Sequence, residues 1–350
     1  MGAERDVSTD SPDSLDLRRR LLARPERLER FIAEVGAVDG LPEQQRVSNV
    51  VVIGMGEAAL AGDLVRAVAG PFMSIPVIVH RGYELPSFVG PESLVLALSV
   101  SGATDETVEA TEAAYETGAA LLSVTRSDGY LAELADAWRT PIISLPDDVG
   151  ARLEFVPLSV ASLLALEQVG LYPGGREWLS LAVAQLARRR DQLVGPSSEA
   201  ARVAKAIDRT MPLIYGAGPI GRVATVRWKQ QFNLTAKVPA FANFVPELCH
   251  NEISGWGQHG DVTRQVFTQI DLRHDEEHPQ DTARLDQVDD ITLEVVADQV
   301  RVDAEGEGAL AQLLDLVYVG DMAAVEIAQR EGIDPGPAPA VEAVRVTTSS

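Results

Sequence analysis

Apolar and polar positions follow two alternating rhythms along the chain. A polar opening, ERDVSTDSPDS, gives way at Leu15 to LDLRRRLLARPERLERFIAEV, whose apolar residues fall at helical spacing with charges between them. This predicts an N-terminal helical arm. Short apolar runs follow, each ending in a glycine or polar turn before a helical stretch. VSNVVVIG (47–54) runs through a glycine turn into the helix of MGEAALAGDLVRAVAG, and SIPVIVH (74–80) is the next strand. SLVLALSV (93–100) leads through SGATDE into the helix ETVEATEAAYETG, and ALLSVT (120–125) leads into YLAELADAW and then PIISLP. Strand, turn and helix at this spacing imply a parallel, doubly wound sheet.

The pattern then recurs. After a helical stretch from Leu153 to about Arg209, MPLIYGAG repeats the strand-then-glycine turn and PIGRVATVRWKQQFN reads as a helix. QVFTQIDL and ITLEVVA read as later strands, and ALAQLLDLVYVGDMAAVEIAQREG as a long final helix. Gly54 and Gly216 mark equivalent first turns. The expected organisation is an arm and helix (1–44), two α/β domains (45–172 and 173–335) and a Pro- and Ser-rich tail (336–350).

Length and composition narrow the classes. A chain of 350 residues with 46% apolar residues can fill two cores. No apolar run in the opening suggests a secretory signal, and no later stretch, VPLSVASLLAL included, reaches bilayer-spanning length, so no membrane partner is expected. The single cysteine, Cys249, cannot form an internal disulfide, which points to a reducing, cytoplasmic compartment. A formal charge of −22 argues against a nucleic-acid partner, because phosphate backbones need clustered Lys and Arg. Only Lys205, Lys229 and Lys237 are lysines, so an anionic ligand would be held by hydroxyls, helix N-termini and a few arginines.

Several motifs compete. GMGEAA (Gly54, Gly56, Ala59) and GAGPIG (Gly216, Gly218, Gly221) follow strands and open helices, as dinucleotide fingerprints do. Neither is followed by the ribose-binding carboxylate such a site needs; Arg81 on a 2′-phosphate leaves an NADP or nucleotide site as an alternative, and tight strand–helix packing explains the glycines otherwise. His274 to His278 matches an H-x-x-E-H zinc pattern, but RHDEEHPQD has no apolar face and reads as a solvated charge run, so no metal and no cofactor are expected. Cys249 and His250, adjacent on an extended chain, point opposite ways and do not make a nucleophile pair. LALSVSGATDET (96–107) is more specific. Ser99, Ser101 and Thr104 surround Gly102 just before a helix, and short hydroxyls beside free helix N–H groups form an anion cradle, or else a capping sequence.

The serine loop, the segment near Arg152 and RWKQQFNLTAKVPAFANFVPELCHNEISGW (227–256), with its P-E-L-x-H-N-E block, together resemble the bifunctional phosphoglucose/phosphomannose isomerases. The resemblance implies two sugar isomerase (SIS) domains per subunit and a homodimer in which a histidine of one subunit completes the site of the other. It also implies opening of a sugar-phosphate ring and proton transfer between C1 and C2 through an enediol. Carried over residue by residue, it makes Ser99, Ser101 and Thr104 the phosphate cradle, Arg152 the stabiliser of the enediolate and His250 the ring-opening residue.

The departures from the family pattern concern the chemistry. The family's base is the glutamate of an N-E-N-A-K motif 16 residues before that histidine; here the motif reads Asn233-Leu234-Thr235-Ala236-Lys237, and Leu234 cannot take a proton. A family threonine and lysine correspond to Ala338 and Arg345. The family's G-M-G-G-S turn is GMGEA, so Glu57 follows Gly56 where a phosphate would meet a helix start, and a carboxylate there is expected to repel it. Glu247 and Glu252 flank His250 as they do in active relatives, whereas Glu154, two residues after Arg152, is a candidate relocated base. The resemblance thus implies a sugar-phosphate-binding protein with impaired isomerase activity, or an active isomerase using Glu154.

Overall fold

The computed structural model describes residues 12–150 and 152–344. The N-terminal arm is two helices rather than one, α1 (Leu17–Leu22) and α2 (Arg24–Glu34), interrupted at Ala23. Pro25 sits in the first turn of α2, where its missing N–H is harmless, but it cannot carry α1's hydrogen-bond ladder onward. The two helices belong to different compact units. Residues through Ala23 group with Arg188–Ala304 and with the chain from Leu316, whereas Arg24–Ala187 group with Glu305–Asp315. These units cut across the contiguous segments expected from the sequence, because compactness follows which segments pack together and not which are neighbours along the chain.

The unit containing Arg24–Ala187 is built on five parallel strands: β1 (Asn49–Ile53), β2 (Val77–His80), β3 (Ser93–Leu98), β4 (Ala120–Thr125) and β5 (Ile142–Ser144). Their order is β2-β1-β3-β4-β5. Its helices include α3 (Glu57–Val68), α4 (Asp105–Glu116), α5 (Tyr130–Trp138), α6 (Phe155–Val169) and α7 (Gly175–Gln192), the last of these through Ala187. The strands read as unbroken apolar runs because both faces are covered. Val51, Ile53 and Val95 pack with Ala110 and Ala114 of α4. Val52 points the other way, so close to α3 that a Cβ on Gly62 would lie 2.8 Å from its Cγ1. Strand order reverses between β1 and β3, and in such sheets ligands bind beyond the carboxyl ends at that point. Ile53 pairs with Ala97, which brings the Gly54 turn and the Ser99 loop out side by side; a Cβ on Gly54 would meet the Leu98 carbonyl oxygen at 3.1 Å.

The other unit repeats the plan. Its parallel strands β6 (Met211–Ala217), β7 (Phe241–Val245), β8 (Phe267–Arg273) and β9 (Asp298–Asp303) run in the order β7-β6-β8-β9. Its helices include α8 (Glu199–Ile207), α9 (Gly218–Gln231), α10 (Gly260–Val266), α11 (Pro279–Thr292), α12 (Gly308–Glu331, from Leu316 on) and α13 (Pro339–Ala343). Leu213, Tyr215 and Ala217 pack with Leu285 and Val288 of α11, and Gly216 meets Gly221 of α9 on the opposite face. ITLEVVA is not a strand: Ile291 and Thr292 end α11, Leu293 is 62% exposed, and the strand is the next segment, DQVRVD. The α12 helix is long and apolar enough to cross a membrane by length and composition, contrary to expectation, but 89% of its apolar window is buried within the protein, as in a core helix.

Candidate functional site

At the end of β3, Ser99 is buried, Thr104 half-buried and Ser101 exposed, so three hydroxyls line a short path from the sheet to solvent. Ser99 Oγ lies 3.2 Å from Thr104 Oγ1 and 3.5 Å from Ser101 Oγ. The turn is held from within: Gly102 N donates to Ser99 Oγ (3.1 Å) and Ala103 N to Ser101 Oγ (3.3 Å). Gly102 has φ +65°, and a Cβ there would strike Gly129 Cα at 2.8 Å, so both conformation and space require glycine. Thr104 is the N-cap of α4 yet its side chain caps no helix N–H. The mere-capping alternative therefore loses ground for Thr104: its hydroxyl faces Ser99, alongside the first N–H groups of a twelve-residue helix. Three convergent hydroxyls and a helix N-terminus suit a tetrahedral anion.

The neighbouring turn contributes Gly56, the N-cap of α3 with φ +55°, and Glu57. The expected clash between Glu57 and a bound phosphate is answered by where its carboxylate goes. Glu57 Oε2 accepts hydrogen bonds from Glu154 N (3.2 Å) and Phe155 N (3.0 Å), the first amides of α6. Glu154, the half-buried N-cap of α6, is thereby tied to the glycine turn by its backbone. Arg152, two residues earlier, is half-buried in the left-handed region at φ +76°.

Leu234 and His250 belong to the other unit. The helix α9 runs into a π-turn, Phe232–Ala236, which carries half-buried Leu234. Such turns are rare and occur often at functional sites. A buried network supports it: Arg227 donates to Asp321 Oδ1 (2.9 Å) and Oδ2 (3.2 Å). Gln231 takes the amide orientation that satisfies both neighbours, accepting from Arg227 (2.9 and 2.7 Å) and donating to Thr235 Oγ1 (2.8 Å). Lys237 Nζ turns back to the Leu234 carbonyl and lies 3.5 Å from the Pro335 carbonyl. Cys249 and His250 lie in the 3₁₀ turn Glu247–His250 and not on the extended chain expected; Leu248 is fully buried and Cys249 packs inward, whereas His250 is exposed. Glu252 is held by Tyr215 Oη and by Asn243 Nδ2 (2.6 Å); burial and then the Glu252 carboxylate push the Tyr215 phenol well above its ordinary range. The sequence reading missed Tyr215 and Asn243, which no motif marks. Ala338 is the N-cap of α13, and Arg345 lies outside the described residues.

The competing motifs resolve structurally. Arg81, the residue for a 2′-phosphate, pairs with Asp63 and donates to the Ala59 carbonyl (3.3 Å). Gly216 and Gly221 touch closely enough that a Cβ on Gly221 would lie 2.8 Å from Gly216 C, which is the packing explanation of GAGPIG. The reading of RHDEEHPQD as a solvated charge run holds for Asp275, Glu276 and His278 through Gln280, which are exposed, and is corrected for Arg273, His274 and Glu277. Arg273 and Glu277 are both 4% exposed and paired (3.0 Å), Asp286 binds Arg273 (2.9 Å), and His274 Nε2 bonds the Ala217 carbonyl (3.0 Å). His278 accepts from Gln280 N to cap α11. Among the described residues no cluster of His, Cys, Asp and Glu could hold a metal.

Comparison with known proteins follows the same lines. The family model for the bacterial phospho-glucose isomerase C-terminal SIS domain matches residues 197–347. A bifunctional phosphoglucose/phosphomannose isomerase from Caldicellulosiruptor bescii is 30% identical over 307 residues, 85% of this chain and 89% of its own. The chain belongs to that family. A family member from Aquifex aeolicus is 28% identical over 304 residues, covering 85% of this chain and 89% of its own. The C-terminal domain of glucosamine-fructose-6-phosphate aminotransferase from Francisella tularensis shares the fold at a TM-score of 0.66 and 14% identity, covering 92% of this chain and 98% of that one. Both parallel sheets with their flanking helices are therefore SIS folds.

Proposed function

We propose that the protein binds a sugar phosphate, its phosphate held by Ser99, Ser101, Thr104 and the start of α4, and that it turns over glucose 6-phosphate and mannose 6-phosphate poorly. The convergence of three hydroxyls on an uncapped helix N-terminus at the strand-order reversal carries this reading. The leucine in the π-turn supports impaired turnover, because a hydrocarbon cannot relay the proton between C1 and C2. Arg152 and His250 are the proposed enediolate-stabilising and ring-opening residues. We further infer a cytoplasmic homodimer in which His250 meets the partner's site. An exposed His250 and Phe241, 47% exposed nearby in sequence, favour a second copy covering this surface. No metal, cofactor, nucleic acid or membrane is needed for the proposed function.

A second reading, an isomerase with Glu154 as base, draws support from the backbone bond that ties Glu154 to the glycine turn on the serine-loop side of the sheet. Titration calorimetry with glucose 6-phosphate tests the binding reading. Ser101→Ala removes one hydrogen bond to a charged acceptor, worth about 1.5–3 kcal/mol, and is expected to weaken binding about ten- to hundredfold. Failure of the wild type to bind glucose 6-phosphate or any other hexose phosphate at millimolar concentration would overturn it.

A further inference from the structure

We infer that Glu57 is a positioning residue for the Arg152 segment: by capping α6 it clamps that segment against the serine-loop side of the sheet and thereby tightens sugar-phosphate binding. The inference rests on the sugar-phosphate reading above and adds a residue to it. Its basis is the pair of bonds from Glu154 N and Phe155 N to one carboxylate oxygen, Glu57 Oε2. A carboxylate at the start of a fifteen-residue helix is favourably sited, since the first amides have no intrahelical partner and the helix dipole is positive there.

The geometry makes this a link between three loops. Glu57 opens α3, three residues beyond Gly54, and the Gly54 turn runs against the Leu98 carbonyl, one residue before Ser99. On its other side, Glu57 grips the amide two residues after Arg152. Arg152 adopts a left-handed conformation that a non-glycine residue keeps only when its surroundings over-determine it. The adjoining residue Leu153 is buried, and its N–H donates to the Gly150 carbonyl (3.1 Å), so a local turn closes around Arg152 and the chain is held in the core directly after it. The charge of Glu57 is also spent locally: the N-terminus of α6 takes up an internal anion, while that of α4 faces the hydroxyl cluster. A bound phosphate and Glu57 thus address different helices.

The opposite view is that Glu57 chiefly repels phosphate, and the two differ in sign. Glucose 6-phosphate affinity is measured for wild type, Glu57→Ala, Glu57→Gln, Arg152→Ala and the Glu57→Ala/Arg152→Ala double variant. Glu57→Ala is expected to weaken binding about tenfold, and Glu57→Gln, which keeps an acceptor oxygen, by less. The double variant is expected to bind no more weakly than Arg152→Ala, because coupled residues are non-additive. Tighter or unchanged binding in Glu57→Ala, or losses that multiply in the double variant, would overturn the inference. Hydrogen exchange of the segment 152–156 in the unliganded proteins provides a ligand-free readout. Glu57→Ala should exchange there about tenfold faster than wild type, with Glu57→Gln between them, and equal rates would overturn the clamp. If wild type binds no sugar phosphate, the ligand reading falls, while exchange still decides whether Glu57 holds the segment.

Discussion

Replacing the leucine of the π-turn with a carboxylate asks whether the protein has lost its chemistry or relocated it. In Leu234→Glu the new side chain starts from the middle of Phe232–Ala236, a turn whose backbone is fixed by the Arg227–Gln231–Thr235 chain, so its origin should not shift. Leu234 is half-buried, and since full burial of such a side chain contributes about 1.5–3 kcal/mol, roughly 1 kcal/mol of apolar stabilisation is lost. The Lys237 ammonium, already bonded to the Leu234 carbonyl, stands near the new charge, but solvent screening limits what an ion pair there returns. A melting temperature lower by about 2–4 °C follows for a unit of this size.

Against that modest loss stands the catalytic gain. A positioned general acid or base contributes about 10²–10⁴ in rate. The wild type is expected to isomerise glucose 6-phosphate and mannose 6-phosphate at least about a hundredfold below an ordinary turnover of about 10 s⁻¹. Leu234→Glu is expected to recover about tenfold and not the whole, because Glu57 and Ala338 still depart from the family pattern. A coupled assay measures fructose 6-phosphate formation in wild type, Leu234→Glu and Glu154→Gln. Ordinary wild-type turnover would refute the lost-base reasoning, and its abolition by Glu154→Gln would make Glu154 the base. A Leu234→Glu variant that folds, binds ligand and gains nothing would show that more than the base is missing.

Two further outcomes concern stability. The Asp271 carboxyl is raised well above the ordinary range by burial and then by the charge of Asp289, itself raised by burial, while Gln269 Nε2 bonds both (2.9 and 2.7 Å) and Arg273 partly counters the shift. A raised folded pKa stabilises the fold fully below the unfolded value of about 4, and that stabilisation is lost as pH rises through the folded value. Asp271→Asn, which mimics the protonated form, should therefore gain on wild type from pH 5 to pH 8 in thermal melts; a parallel pH dependence would count against the pair. Asp321→Ala takes the carboxylate from the buried Arg227 guanidinium and leaves it Gln231 as a neutral acceptor; with both ion-pair partners at most 1% exposed, it should cost about 3–5 kcal/mol in urea titrations, and a loss under 1 kcal/mol would deny the network its role.

The first sheet was legible because its strands are covered on both faces, leaving runs such as VVVI and LVLAL bounded by glycine turns. In the second, β9 hid its strand rhythm: only Val300 and Val302 point inward among Asp, Gln and Arg, while the more apolar ITLEVVA before it holds the last two residues of α11 and the turn after them, with Leu293 exposed and Val296 buried. There the buried Thr292 hydroxyl, at the end of α11, lies 2.6 Å from Gln269 Oε1 and 2.8 Å from the Val288 carbonyl, acceptors that no periodicity foretells. The run HDEEH looked solvated because two of its partners are distant in sequence: Asp286, which pairs with the adjoining Arg273, arrives thirteen residues later on α11, and the Ala217 carbonyl that meets His274 lies 57 residues earlier. The serine loop could be recognised from composition alone, since its hydroxyls and glycine are local. Glu57 could not, because the amides it caps lie 97 residues away.

That contrast bears on how the two SIS folds divide their labour. Both reverse strand order at the same point, and in each the loop after the third strand of the plan emerges beside a glycine turn. After β3 that loop is Ser99 to Thr104, neutral hydroxyls in front of a helix whose N-cap side chain bonds none of its amides and whose first turn carries Asp105 and Glu106. After β8 it is Arg273 to Glu277, where Glu277 supplies the anion from within, accepting from Arg273, from His274 N (3.1 Å) and from Thr282 Oγ1 (3.0 Å). An arginine already saturated by two carboxylates has little to offer an external phosphate, and the buried carboxylate would repel one. Physical chemistry therefore favours the first sheet for anion binding. The second carries the π-turn with Leu234 and the HNE block with His250, the segments to which the proposed reading gives proton transfer and ring opening. On the proposed reading, the hydroxyl cradle and Arg152 belong to the first unit and Leu234 and His250 to the second, so replacing the base would leave the proposed anion site untouched.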